Sequence, residues 1–303
     1  MPPKPPPRLD RAPHGAPSWR RIIRCLILRL NRSGEGLKDW ETATVSPFGR
    51  RGSRSWERKM ARLWLIGVLS VAGLPLALAQ RDFSGIQITT TDLGNGIYML
   101  KGAGGNLGVS VGEDGVFLID DQFAPLTDRI LAALAEISDA PVGYVINTHY
   151  HGDHVGGNEN LGKAGAVIVA HDNVRKRMSA DQFTAFFNRE TPAYPEGAWP
   201  VITFNDTIRF HLNGDQVHVM HVPRAHTDGD AIVWFEKANV IHMGDAFWDY
   251  YPFIDFEAGG TIGGLIAALD RALDLADAQT RIIPGHGEKV RDKSALAAFR
   301  DVM

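Results

Sequence analysis

From Ile86 onward, apolar and polar residues alternate in short runs. GIQITTTDL and GIYMLKG read as two strands around a Gly94-Asn95 turn, and LGVSVGEDGVFLIDD as two more joined at Glu113-Asp114-Gly115, a strong hairpin signal. In TDRILAALAEIS the period lengthens: Ile130, Leu131, Leu134 and Ile137 share one helical face, with Thr127 as the expected N-cap. PVGYVIN then reads as a buried strand. The second half repeats the theme, with strands in TIRFHLN, QVHVMHVP, AIVWFE and NVIHMG, a helix in GLIAALDRALDLA and a strand in RIIPGHGE. Strands first, then helix and strand, in each half predict an α+β fold of two packed sheets with helices outside. Between Arg175 and Pro200 the chain is aromatic but weakly periodic. A helix with ordinary core contacts is the first reading there, and an active-site flap the second.

Composition changes sharply near residue 60. Residues 1–59 are rich in Pro, Arg, Gly and Ser and hold 14 Lys and Arg against 5 Asp and Glu, whereas residues 80–303 hold 17 against 30. The net charge of −3 averages these two pieces. Between them, MARLWLIGVLSVAGLPLALAQ has Arg62, an apolar run from Leu63 to Leu74 and a small-x-small Ala77-Leu78-Ala79. That is the make-up of a cleaved signal peptide. The expected organisation is therefore a basic extension at 1–59 that translation from Met60 would omit, a signal peptide at 60–79, and one folded domain at 80–303. The expected localisation is periplasmic or secreted, with no stable membrane anchor after cleavage. An acidic domain repels phosphate, which argues against nucleic acid as a partner. The single cysteine, Cys25, lies upstream, so the domain has neither disulfide nor thiolate to use.

The densest chemistry is VINTHYHGDHVGGN, which places His149, His151, Asp153 and His154 directly after an apolar strand. Imidazole and carboxylate are the usual non-thiolate ligands of zinc and related ions. His149 and His151 alternate as on an extended backbone, and Asp153 and His154 follow the turn at Gly152, so one segment can serve two ions. Three more strands end in a potential ligand: His226 in HVPRAHTDGD, Asp245 in VIHMGDAF and His286 in RIIPGHGE. His211, His218, His221 and His242 fall inside strand patterns and read as core or surface residues, with His171 a weaker loop candidate. Thr148, Thr227 and Asp120 read as partners that fix ligand orientation.

This ordered set of H-x-H-x-D-H, H-T, G-D and P-G-H-G resembles the metallo-β-lactamase-fold hydrolases over most of residues 85–290. The resemblance implies an αβ/βα sandwich with two metal ions on one edge. His149, His151 and His226 would hold one ion, Asp153, His154 and His286 the other, and Asp245 would bridge them. Zinc is the expected metal, with iron or manganese also suited to the donors. Asp153 would be catalytic, orienting a water shared by the two ions. Many β-lactamases of the superfamily carry cysteine where Asp245 stands; a carboxylate there resembles glyoxalase-II-like thioesterases and lactonases. AFWDYYPFIDFEAGG also lacks the lysine that commonly anchors the substrate carboxylate. Arg224 is either its replacement or a surface charge. The expected function is an exported hydrolase opening a β-lactam-type cyclic amide, with a lactonase or thioesterase second and a noncatalytic metal-binding module third.

Translation from Met60 predicts that mass spectrometry of the native protein finds no peptide from residues 1–59. A single such peptide refutes that start site.

Overall fold

The computed structural model describes residues 81–303; the expected extension and signal peptide lie outside the described residues. Seven strands form the first sheet: β1 (Thr89–Gly94), β2 (Ile97–Lys101), β3 (Leu107–Gly112), β4 (Gly115–Ile119), β5 (Val142–Ile146), β6 (Val167–His171) and β9 (Ile202–Phe204), adjacent in that order. The second sheet runs β10 (Thr207–Leu212), β11 (Asp215–His221), β12 (Ala231–Phe235), β13 (Val240–His242) and β14 (Arg281–Ile283). Hairpin connections make β1 to β4 and β10 to β13 antiparallel, whereas β4, β5, β6 and β9 run parallel, as do β13 and β14. A separate two-stranded hairpin pairs β7 (Gln182–Thr184) with β8 (Arg189–Thr191).

Strand alternation sorts the apolar residues into layers. Phe117 and Ile119 of β4 meet Val233 and Phe235 of β12 between the two sheets. Val116 and Leu118, the other face of β4, pack beneath Ile130 and Leu134 of α1 (Thr127–Ala135) and Leu161 of α3 (Asn158–Lys163). Ile232 and Ile241 likewise cover Leu265 and Leu269 of α5 (Ile262–Leu275) and Leu296 of α6 (Lys293–Val302). Helix, sheet, sheet, helix is the αβ/βα sandwich that the sequence led us to expect. Both central sheets are apolar on two faces, which explains the near-continuous hydrophobic runs of β4, β5 and β12.

Two local expectations change. Thr127 does not cap α1: a short 3-10 turn (Ala124–Leu126) precedes the helix, and the Thr127 hydroxyl donates back to the Ala124 carbonyl at 3.0 Å. Pro125 in that turn starts the helical path early. Between Arg175 and Pro200, α4 (Asp172–Met178) ends at Ser179 and the chain folds into the β7–β8 hairpin. A hairpin therefore stands in the middle of the stretch where a helix was the first expectation. The aromatic residues of that stretch do not share a helical face because three of them, Phe183, Phe186 and Phe187, stay exposed on the hairpin.

The parallel strands place the site. Asp120 leaves the end of β4, Thr148 and His149 follow β5, Asp245 follows β13 and His286 follows β14. Four strand ends and the β11–β12 loop carrying His226 thus meet at one edge of the sandwich. Strand ends are rigid and their loops are exposed, so donors there are both fixed and reachable.

Candidate metal centre

The structure brings all seven predicted donors together in two groups. His149, His151, His226 and Asp245 present ligand atoms within 4.8 Å of one another, and so do Asp153, His154 and His286. Asp245 connects the groups. Its Oδ2 lies 3.4 Å from His226 Nε2, 3.6 Å from His149 Nε2 and 3.4 Å from His286 Nε2, and its Oδ1 lies 3.2 Å from His154 Nε2. His151 precedes the short helix α2 (Gly152–Val155), whose turn places Asp153 and His154 in the second group while the His154 ring stays 4.1 Å from the His149 ring. This local turn is how one six-residue stretch serves both groups.

The donors fit divalent ions. Within the first group, His149 Nε2 and His226 Nε2 stand 3.1 Å and 2.9 Å from His151 Nδ1. In the second, His154 Nε2 and His286 Nε2 are 3.4 Å apart. Bonds of 2.0–2.1 Å to one tetrahedral zinc would separate two ligands by about 3.3 Å. Asp245 Oδ1 is buried and makes no hydrogen bond of acceptable geometry. An orphaned carboxylate oxygen facing imidazole nitrogens needs a cation to complete it.

Charge state agrees with this reading. Burial holds His149 well below its ordinary pKa and lowers His226 to about 4, so both are neutral imidazoles with a free lone pair. Burial alone would raise the Asp245 carboxyl, but His154, His286 and His149 outweigh it and keep it well below the usual carboxylate range. At His286 the sign reverses: burial opposes protonation, yet the carboxylates of Asp245 and Asp153 raise the imidazole to about 9. The cluster draws positive charge.

Four of the histidine ligands are held from behind. Asp120 accepts from His154 Nδ1 at 2.8 Å, from the Thr148 hydroxyl at 2.8 Å and from the Thr148 amide at 2.7 Å. The Thr148 hydroxyl in turn lies 3.1 Å from His149 Nδ1, so one carboxylate steadies a ligand in each group. Thr227 touches no ligand; its hydroxyl and amide bond Asp230, tightening the loop that carries His226. Two close approaches demand glycine: a Cβ at Gly105 would lie 2.1 Å from the His154 ring, and one at Gly285 would lie 2.2 Å from Asp245 Oδ1.

Several partners escaped the sequence. Asp255 lies 3.0 Å from His151 Nε2 and accepts the Tyr150 hydroxyl at 2.7 Å, and the Phe253 carbonyl lies 2.6 Å from His226 Nδ1. Asp255 is the acid in the aromatic run YYPFIDF, and its burial among aromatic residues was the available signal. Arg224 is a correction: it is exposed, its backbone has φ 57°, and its Nε reaches the Gly259 carbonyl at 3.4 Å. It does not line the cavity in front of the donors, so it is no anchor for substrate there. Among the strand histidines, His242 bonds the Asn106 carbonyl, and His221 stacks on His171 at 3.8 Å. All lie outside the two donor groups.

A family model for the metallo-beta-lactamase superfamily matches residues 101–286. The chain belongs to that superfamily. A hydroxyacylglutathione hydrolase of Methylococcus capsulatus is 30% identical over 108 residues, covering 35% of this chain and 34% of that protein. Another from Pelagibacter ubique is 27% identical over 159 residues, covering 52% and 56%. The matches thus span from a third to just over half the length of these curated relatives. Among solved structures, a metallo-beta-lactamase from Pontibacter korlensis superimposes with TM-score 0.58 at 19% identity, covering 71% of this chain and 98% of that one. The FIM-1 metallo-beta-lactamase from Pseudomonas aeruginosa, in its mono-zinc form, gives 0.56 at 18%, covering 71% and 94%. These two likenesses establish the shared fold.

Replacing Asp255 with Ala should weaken binding of the first ion, and replacing Asp120 with Ala binding of both, in each case by roughly 10–100-fold. Competitive chelator titration of the full chain measures both affinities. Unchanged affinities in the two variants would contradict the assigned supports.

Proposed function

We infer that this protein is an exported, metal-dependent hydrolase acting first on an ester or thioester bond of a small molecule. The observation that carries the reading is Asp245, whose two oxygens face both donor groups at 3.2–3.6 Å. When bound, two divalent ions supply Lewis acidity toward a carbonyl and lower the pKa of water. The seven donors would hold them, His149, His151 and His226 on one side, Asp153, His154 and His286 on the other, and Asp245 between. Zinc is the proposed metal, since five imidazoles and two carboxylates suit it.

The chain's own groups define the chemistry in front of the donors. His151, Asp153 and His286 line a cavity of about 670 Å³, while His149, His154 and His226 are fully buried behind them. Burial would raise the Asp153 carboxyl, but His154 and His286 together hold it far below the ordinary value. It is therefore ionised at neutral pH and can orient a water proton for attack. Tyr194 stands beside it, with burial pushing the phenol up to about 12. The hydroxyl stays protonated and available to donate to an oxygen gaining charge. No nucleophile from the protein is required.

Ester and thioester bonds come first because the relatives named hydroxyacylglutathione hydrolase share 27–30% of aligned positions with this chain, and because a carboxylate occupies position 245. A β-lactam-type amide is second, supported by the volume of the cavity and its aromatic wall, which suit a bicyclic substrate. The leader at residues 60–79 would place the enzyme in the periplasm or outside the cell.

A panel of a glutathione thioester, an aliphatic lactone and a cephalosporin tests this reading. Turnover should vanish on chelation, return with zinc, and fall at least about 100-fold on replacing Asp153 with Ala. Undiminished turnover in that variant would refute the role given to Asp153. Absence of turnover on all three substrates with metal bound would refute the hydrolase reading.

A further inference from the structure

The cavity wall away from the metal donors carries a charge pattern that the hydrolase reading does not use. The β7–β8 hairpin contributes Gln182, Thr184, Phe187, Arg189 and Thr191 to that wall. Its register pairs Gln182 with Thr191 and Thr184 with Arg189, so these four residues form two cross-strand pairs on one face. Phe183 pairs with Glu190 on the opposite face, since successive side chains of a strand alternate. The pleat thus turns Arg189 toward the cavity and leaves the neighbouring acid Glu190 out of its lining.

Two arginines, Arg189 and Arg81, line the cavity, and its single carboxylate is the donor Asp153. Arg81 is partly committed, with its guanidinium 4.9 Å from the centre of the Phe123 ring. Arg189 has no ion-pair partner among the described residues. The Tyr194 hydroxyl stands close to the donors, 2.9 Å from where a Cβ at Gly152 would lie. The rest of the wall is aromatic: Phe253 packs 5.1 Å from Phe187 and 5.6 Å from Phe186, and Trp248 lies 4.5 Å from the His286 ring.

Local contacts fix the base of the hairpin. Arg177 Nη1 donates to Gln182 Oε1 at 3.2 Å and Gln182 Nε2 returns a bond to the Arg177 carbonyl at 3.0 Å. The Ala193 amide donates to Asp181 at 2.9 Å and the Tyr194 amide to the Met178 carbonyl at 2.8 Å. A cation carried on an anchored two-stranded arm, with its acidic neighbour turned outward, suits recognition of an anion.

We propose that the β7–β8 hairpin selects the substrate, Arg189 binding an anionic group such as a carboxylate while Phe187, Phe253 and Trp248 cover the apolar part. The preferred substrates are then anionic, amphipathic acyl compounds. This deepens the hydrolase reading and rests on it. It also supplies, from a different element, the basic anchor that the segment after Asp245 lacks.

The test compares two esters that differ at one end, 4-nitrophenyl hexanoate and the mono-4-nitrophenyl ester of adipic acid, on the zinc-loaded full chain. Arg189→Ala should cut kcat/KM for the anionic ester roughly ten- to a hundredfold, mainly through KM, and leave the neutral ester within about threefold. Arg189→Lys should recover part of the loss, and Arg189→Glu should favour the neutral ester. Equal effects on both esters, or none, would overturn the proposal while leaving the hydrolase reading intact. Binding of 4-phenylbutyrate against its neutral amide, followed by NMR, provides a readout without turnover. Binding of the acid that depends on Arg189, with no cleavage of either ester or of the panel above, would overturn the hydrolase reading instead. Binding of the acid that Arg189→Ala leaves unchanged would overturn the role of the hairpin.

Discussion

The burial of the Asp245 carboxylate is the constraint on which the site depends. It is 4% exposed and has four imidazole nitrogens at 3.2–3.6 Å, yet one of its oxygens accepts no well-aligned hydrogen bond. An isolated ionised carboxylate in such a place would cost far more than a small domain can offset. The surrounding imidazoles reduce that cost, and cations between them and the carboxylate would remove most of it. Asp120, with no exposure, repeats the pattern one step back, because all its contacts are donors that orient His154 and Thr148. The chain has therefore concentrated acid where water cannot solvate it, and metal binding is the arrangement that makes this tolerable.

The sandwich makes the concentration possible. Parallel pairing of β4 with β5 and of β13 with β14 brings Asp120 beside the β5 end and Asp245 beside the His286 loop. The two halves of the chain contribute separate donors, and the apolar layer between the sheets, built on Phe117, Ile119, Val233 and Phe235, holds them in register. Loss of packing in that layer would move one half of the ligand set against the other. Site geometry and fold stability are thus coupled through the same strands, whereas the β7–β8 hairpin stands outside both sheets and can vary without disturbing the donors.

Much of this was legible in the sequence. The ligands could be read because each follows a strong apolar strand and because His149 to His154 are close in sequence, where local geometry limits what they can do. The two packed sheets and the outer helices α1 and α5 followed from alternation and from the helical period, whereas the order of strands within each sheet did not. What escaped depended on contacts between distant segments. Asp255 meets His151 across 104 positions, and the Phe253 carbonyl meets His226 across 27. Neither has a spacing rule, and a carbonyl carries no residue signature. The hairpin was hidden for a different reason: its strands are three residues long, too short to show a period. Arg224 was proposed from its closeness to His226 in sequence, but a left-handed backbone at that residue breaks the link between sequence distance and direction.

On this reading, seven side chains hold two ions on either side of one carboxylate. Anomalous X-ray scattering from crystals of the zinc-loaded protein tests it most directly. Two zinc peaks are expected, one within His149, His151 and His226 and one within Asp153, His154 and His286, with Asp245 in contact with both. A single peak at full zinc loading, or two peaks with Asp245 bound to neither, would contradict it.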